Sequence, residues 1–145
     1  MQKPLRLFFL APLILFIFIS GCKSSNIRRR VCIKDYCVKA EVVDNEVSRE
    51  RGLMSRDRLG QDQGMLFIFE KSGICSIWMK NMLLPLDIIW ISQERKIVYF
   101  TENAQPCSSD PCPVFTPLNP ARYVLEVNSG FIKSHRLHIG EAFKF

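Results

Sequence analysis

Six polar or aromatic side chains stand where chemistry is possible. Trp78, Lys80, Asn81 and Asp87 lie within the apolar run "CSIWMKNMLLPLDIIW", and Arg122 and Glu126 within "RYVLEVN". Polar groups in apolar strands cost free energy unless they are hydrogen-bonded, so these six either bind something or satisfy one another. In an extended strand Lys80 shares the face of Trp78, placing an ammonium over an indole. A groove in which Trp78 stacks while Lys80, Asn81, Asp87, Arg122 and Glu126 hydrogen-bond would suit a small polar ligand such as a saccharide. Two other chemistries compete. Asp87 and Glu126 could flank a glycosidic bond as paired carboxylates, giving a glycan- or wall-directed hydrolase. Met54, Met65, Met79 and Met82 with Cys75 could hold Cu(I), since soft sulfur ligands select it. These methionines fall in different expected elements, and Met is equally a filler of cores.

The structural reading of the same residues is internal pairing. Asp87 shares its strand face with Ile89 and Ile91, so a lone carboxylate there would be costly. Asp87 or Glu126 is therefore expected to pair with Arg51, Arg56 or Arg122; Arg122 and Arg56 lead for Asp87. No glycine-rich phosphate loop and no Gly-x-Ser-x-Gly elbow occurs. His135 and His138 in "SHRLHIG" suit a helix end better than a metal site. No catalytic residue, metal or cofactor is assigned, and the residues favour a non-enzymatic role.

The cysteines add a framework. Cys32 and Cys37 in "CIKDYC" share their spacing with Cys107 and Cys112 in "CSSDPC". In an oxidising compartment each pair can close a disulfide; a four-thiolate zinc site drawing on both pairs is the alternative. Cys75 is left as a buried thiol, or as a rival partner.

The elements that must position these residues read mainly as strands. Alternation at Val38, Ala40 and Val42 predicts a half-buried strand, and Asp44 or Asn45 can cap a short helix through "EVSRERGLMSR". "GMLFIFE" reads as a central strand and "CSIWMKN" as another. "LDIIWI" and "KIVYFT" form a hairpin about "SQER". A proline-rich loop over 102–120 precedes the strand "RYVLEVN", a helical turn or two in "SGFIKSHRL", and a last strand "EAFKF". The expected fold is a small mainly-β domain, sandwich-like, jelly-roll-like or barrel-like, with one or two short helices.

The start of the chain sets its destination. Lys3 and Arg6 precede an uncharged apolar run, Leu7–Ile19, too short to span a bilayer and the right size for a signal-peptide core. The ending "ISGC" resembles a bacterial lipobox. That resemblance implies cleavage before Cys22 and lipidation of its thiol, hence an extracytoplasmic protein anchored to a membrane of the bacterial envelope. Residues 1–21 read as the signal, 22–30 as a basic tether holding Arg28, Arg29 and Arg30, and 31–145 as one domain. Losing Lys3 and Arg6 lowers the net charge from +6 to +4. The arginines have no interleaved aromatics, so they suit anionic head groups and not nucleic acid.

The blocks "RERGLMSRDRL", "GMLFIFE", "IWMKNMLLPLDIIWI" and "PARYVLEVNSG", in this order from about Ala40 onward, resemble the family called domain of unknown function 192. The resemblance implies a small mainly-β domain, often exported, and no activity. Met82 stands where many relatives carry Thr. The expected function is a non-enzymatic binding or accessory module for a small polar ligand or an envelope partner.

Overall fold

A computed structural model describes residues 27–145. The signal segment, Cys22 and the first part of the tether lie outside the described residues. Strand β1 (Arg28–Ile33) turns into β2 (Tyr36–Val43), and Cys32 faces Cys37 across the hairpin. The arginines expected in the tether therefore belong to the sheet, because they pair with Lys39, Ala40 and Glu41. Helix α1 (Glu46–Arg51) follows, capped by the Asn45 side chain, which accepts from the Ser48 N–H at 3.0 Å.

Strand β3 (Gln63–Gly73) runs parallel to β2, with the helix as crossover. The segment read as a full strand around "CSIWMKN" pairs only over β4 (Ile77–Trp78), against β7 (Val114–Phe115) in a separate two-stranded sheet. Strands β5 (Leu86–Ile91) and β6 (Ile97–Ala104) form the expected hairpin. Strand β8 (Ala121–Asn128), helix α2 (Phe131–His135) and β9 (Phe143–Lys144) complete the chain.

The main sheet has the order β6-β5-β8-β3-β2-β1-β9 and curls into a half-barrel, so the barrel-like form of the expectation holds. Gly64 lets β3 approach β8 closely: a Cβ there would lie 2.7 Å from the Glu126 carbonyl oxygen. The last segment bridges the two edges. Phe143 pairs with β1, while Gly140 donates to the Ile97 carbonyl and Ile97 to that of Glu141, both at 2.8 Å.

Each face of the sheet carries its own core, as the period-2 alternation of its strands dictates. One face collects Val38, Leu66, Ile89, Leu125 and Val127 under α2. The other collects Met65, Phe67, Ile88, Trp90 and Val124 beneath Leu53, Ile77, Met79 and Met82. The Trp90 indole N–H donates to the Cys75 carbonyl at 2.6 Å, tying the 75–82 segment onto this second face.

Candidate functional site

The second face holds the candidate site. Antiparallel pairing places Glu126 opposite Ile88 on β5 and next to Met65 on β3, pointing its carboxyl toward α1. Above it lies a pocket of about 400 Å³. Its inner wall is Leu53, Phe67, Ile77, Met82 and Glu126, all buried; Trp78, Glu46, Glu50 and Arg51 form an exposed rim with Arg49 and Lys80.

Local chemistry explains how the rim is held. Arg49 donates to the Asp44 carbonyl at 2.7 Å and the Ile68 carbonyl at 3.0 Å, and its guanidinium lies 5.2 Å from the Phe69 ring centre, pinning α1 to β3. Gly52 ends the helix at φ +47°, a conformation that side chains other than Gly rarely adopt, and turns Leu53 inward. Lys80 is fixed twice. Its ammonium pairs with Asp110 at 2.7 Å and sits 5.6 Å from the Trp78 ring centre, which is the stacked pairing expected from the strand pattern. Asp110 belongs to the Cys107–Cys112 loop, and that loop bonds back through Cys107 N–H to the Met79 carbonyl and Asn81 N–H to the Cys107 carbonyl.

Glu126 is 4% exposed, and no hydrogen bond or ion pair reaches its carboxyl among the described residues. Burial pushes its pKa up to about 8, so at neutral pH it carries its proton. Burial likewise pushes the Cys75 thiol up, against the opposing pull of the Arg49 charge.

The six candidate residues separate. Trp78, Lys80 and Glu126 meet at the pocket. Asn81 lies beside it, lining an adjoining depression with Trp78 and Lys80. Its backbone is left-handed at φ +57°, where Asn is tolerated, and closes the turn after β4. Asp87 faces the opposite side of the sheet, paired with Val127. The expected ion pair with Arg122 or Arg56 does not form. Asp87 is fully buried and accepts two backbone N–H groups, from Asn103 at 2.9 Å and Ile132 at 2.8 Å. Arg56 instead makes a two-pronged contact with Glu41 at 2.8 and 2.7 Å, which raises its pKa. Arg122 is half-buried on the Glu126 face, but it does not line the pocket, and its Nε is buried with no partner among the described residues.

Two rival chemistries lose their geometry. A hydrolase pair of Asp87 and Glu126 needs both carboxylates on one side of a substrate cleft, and β5–β8 pairing sets them on opposite faces of the sheet. The zinc alternative fails because Cys32–Cys37 and Cys107–Cys112 are disulfides; Cys75 is free and buried. Of the soft-ligand set, Met65, Met79 and Cys75 are packed in the core, and only Met54 and Met82 line the Glu126 pocket. His135 stacks on Tyr36 and Phe131 at 4.1 and 4.3 Å between ring centres.

Sequence reasoning missed Glu46, Arg49 and Glu50 as parts of the site and considered Arg51 only as an ion-pair partner. The available signal was "EVSRER", a helix with no buried residue, next to a Gly-Leu pair that had to turn into the core.

A family model described as DUF192, uncharacterized ACR, matches residues 29–145. A UPF0127 protein of Thermococcus gammatolerans is 29% identical over 101 residues, covering 70% of this chain and 62% of the relative. One from Thermococcus kodakarensis is 26% identical over 103 residues, covering 71% and 62%. The chain thus spans 62% of the length of the curated relatives it matches. Among solved structures, a protein of unknown function from Novosphingobium aromaticivorans superposes with a TM-score of 0.78 at 24% identity, over 86% of this chain and 90% of that one. A Sinorhizobium meliloti protein described as a candidate transcription regulator superposes with a TM-score of 0.73 at 32% identity, over 81% and 91%.

Proposed function

Since the chain belongs to the domain of unknown function 192 family, whose description assigns no activity, we propose a function from its pocket. The protein is an extracytoplasmic binding module, held on a bacterial envelope membrane by lipidated Cys22, that takes up a small polar ligand without converting it. The observation that carries this reading is Glu126: a buried carboxyl with no partner among the described residues, lining an open pocket. Buried polar groups are almost always hydrogen-bonded, and a carboxyl that serves only the fold would be paired as Asp87 is. The exposed indole of Trp78, 41% accessible, offers a flat surface at the same mouth.

The test is recovery of bound small molecules from the mature protein purified out of membranes. Mass spectrometry should find a polar compound in near-stoichiometric amount, depleted in Glu126→Leu and Trp78→Ala. Equal recovery from wild type and both variants, or none from any, would overturn the pocket reading. Recovery of cleaved products instead of an intact ligand would overturn its non-enzymatic part. The anchor is tested separately: Cys22→Ser should abolish labelling by fatty acid, and undiminished labelling would remove the lipoprotein assignment.

A further inference from the structure

Of the two buried acidic side chains among the described residues, Asp87 is satisfied by backbone donors and Glu126 is satisfied by nothing in the fold. The neighbours of Glu126 within the pocket wall, Leu53, Phe67, Ile77 and Met82, offer it no side-chain donor and no cation, and the hydroxyl of Ser76, also in the lining, is engaged with Thr116 at 3.1 Å. A carboxyl with so little access to water and apolar walls around it keeps its proton, because its charged form would be poorly solvated and unpaired. It then presents a hydroxyl donor to the pocket, and what meets a donor is an acceptor.

The charged groups around it lie at the mouth and on its own face of the sheet. Helix α1 brings Glu46, Arg49, Glu50 and Arg51, the segment after β4 brings Lys80 with its partner Asp110, β8 brings Arg122, β2 brings Glu41 with its partner Arg56, and the Cys75 thiol and Tyr99 hydroxyl belong to the same core. At the mouth, with Asp110 on Lys80, three cations stand against three carboxylates. Arg49 is held by two backbone carbonyls and Lys80 by Asp110, whereas Arg51 is exposed and has no partner among the described residues. An amine would have to pass these cations and then force Glu126 to ionise.

Resting on the binding reading above, we infer that the ligand is a small organic anion. Its apolar body lies along Phe67 and Met82, one oxygen of its charged group accepts the Glu126 hydroxyl, and the other oxygen is turned to the cations of the mouth, Arg51 and Lys80. The recognition carries its own pH dependence. Glu126 loses its proton as pH rises through about 8; the donor disappears, a negative charge replaces it, and affinity for an anion falls.

The experiment uses the mature lipidated protein in detergent and three probes of one shape: benzoate, benzamide and benzylamine. Amide and indole shifts near Trp78 report binding, at pH values below and above the Glu126 transition. Benzoate should bind more tightly than the other two below the transition and weaken by roughly tenfold above it, as loss of one charge-assisted contact implies. Glu126→Gln keeps a donor and should bind benzoate without that pH dependence. Arg51→Ala should weaken benzoate and leave benzamide unchanged. Tighter binding of benzylamine, gaining as pH rises and lost in Glu126→Leu, would overturn the anion assignment while leaving the pocket in place. Absence of any Glu126-dependent binding by all three probes would overturn both.

Discussion

Two carboxyl groups on neighbouring strands, Asp87 and Glu126, have opposite fates because adjacent residues on a strand point to opposite faces. Asp87 meets the start of α2 and the end of β6, and its two oxygens take the N–H groups of Ile132 and Asn103. Asp87→Ala should strand both donors and cost about 2–4 kcal/mol in denaturant unfolding, with Asp87→Asn losing less. A double-mutant cycle with Arg122→Ala should show additivity within about 0.5 kcal/mol, because the two side chains do not meet. Glu126 meets no donor among the described residues, and its folded pKa of about 8 lies above the ordinary carboxyl value of 4.5. The native state therefore holds a proton that the unfolded chain releases first. The stability that goes with it is full below about pH 4.5, and is lost as pH rises toward 8, at up to about 1.4 kcal/mol per pH unit. Glu126→Gln should flatten that slope and be the more stable protein above pH 8; an unchanged slope would show that Glu126 is ionised in the fold.

At the scale of elements, the pocket depends on three placements: α1 against β3, the 75–82 segment against β5, and β3 against β8. The last is the tightest. Gly64→Ala would drive a methyl group into the backbone of Glu126, so β3 and β8 must part, and a loss of about 1–3 kcal/mol is expected from overpacking. The same displacement would tilt Glu126, so ligand binding should fall together with the unfolding midpoint. Lys80 depends on a different device, the Cys107–Cys112 loop that presents Asp110. Asp110→Ala should change stability by no more than about 1 kcal/mol, as for other exposed ion pairs, yet it should loosen Lys80 over Trp78 and be visible in Trp78 fluorescence. Trp90 is fully buried and provides an unchanging background in that measurement.

For the molecule as a whole, two disulfides staple what the sheet leaves open. One ties the β1–β2 hairpin and the other the proline-rich loop. Each closes a short loop, so reduction should lower stability by about 2 kcal/mol per bridge in the chain-entropy account. Thiol counting on unfolded, unreduced mature protein should find one free group, that of Cys75. Five free thiols would contradict both bridges. The half-barrel is closed at one end by the chain's last residues, which bond to β6 and β1. Truncation before Gly140 should therefore release both edges and broaden the unfolding transition.

Much of this architecture was legible from local pattern. Alternation marked β2, the apolar runs marked β3 and β5, the Asp44-Asn45 pair marked the helix start, and equal cysteine spacing marked two bridges that are present. These features depend on contacts close in sequence, where side-chain period and loop length decide the outcome. The extent of β4 was not legible: "CSIWMKN" alternates like a strand, but Asn81 turns it after two paired residues. Nor was the start of the sheet, since Arg28–Arg30 look like a solvated tether until β2 lies beside them. The site was divided in the same way. Trp78 and Lys80 could be paired from their spacing alone. Which carboxyl would face a pocket and which would cap α2 depended on the register of β5 against β8, a long-range pairing that a slip of one residue would invert. Alternation set two acids in apolar strands and left pairing and ligand binding both open; the β5–β8 register gave Asp87 its backbone donors and left Glu126 with none among the described residues.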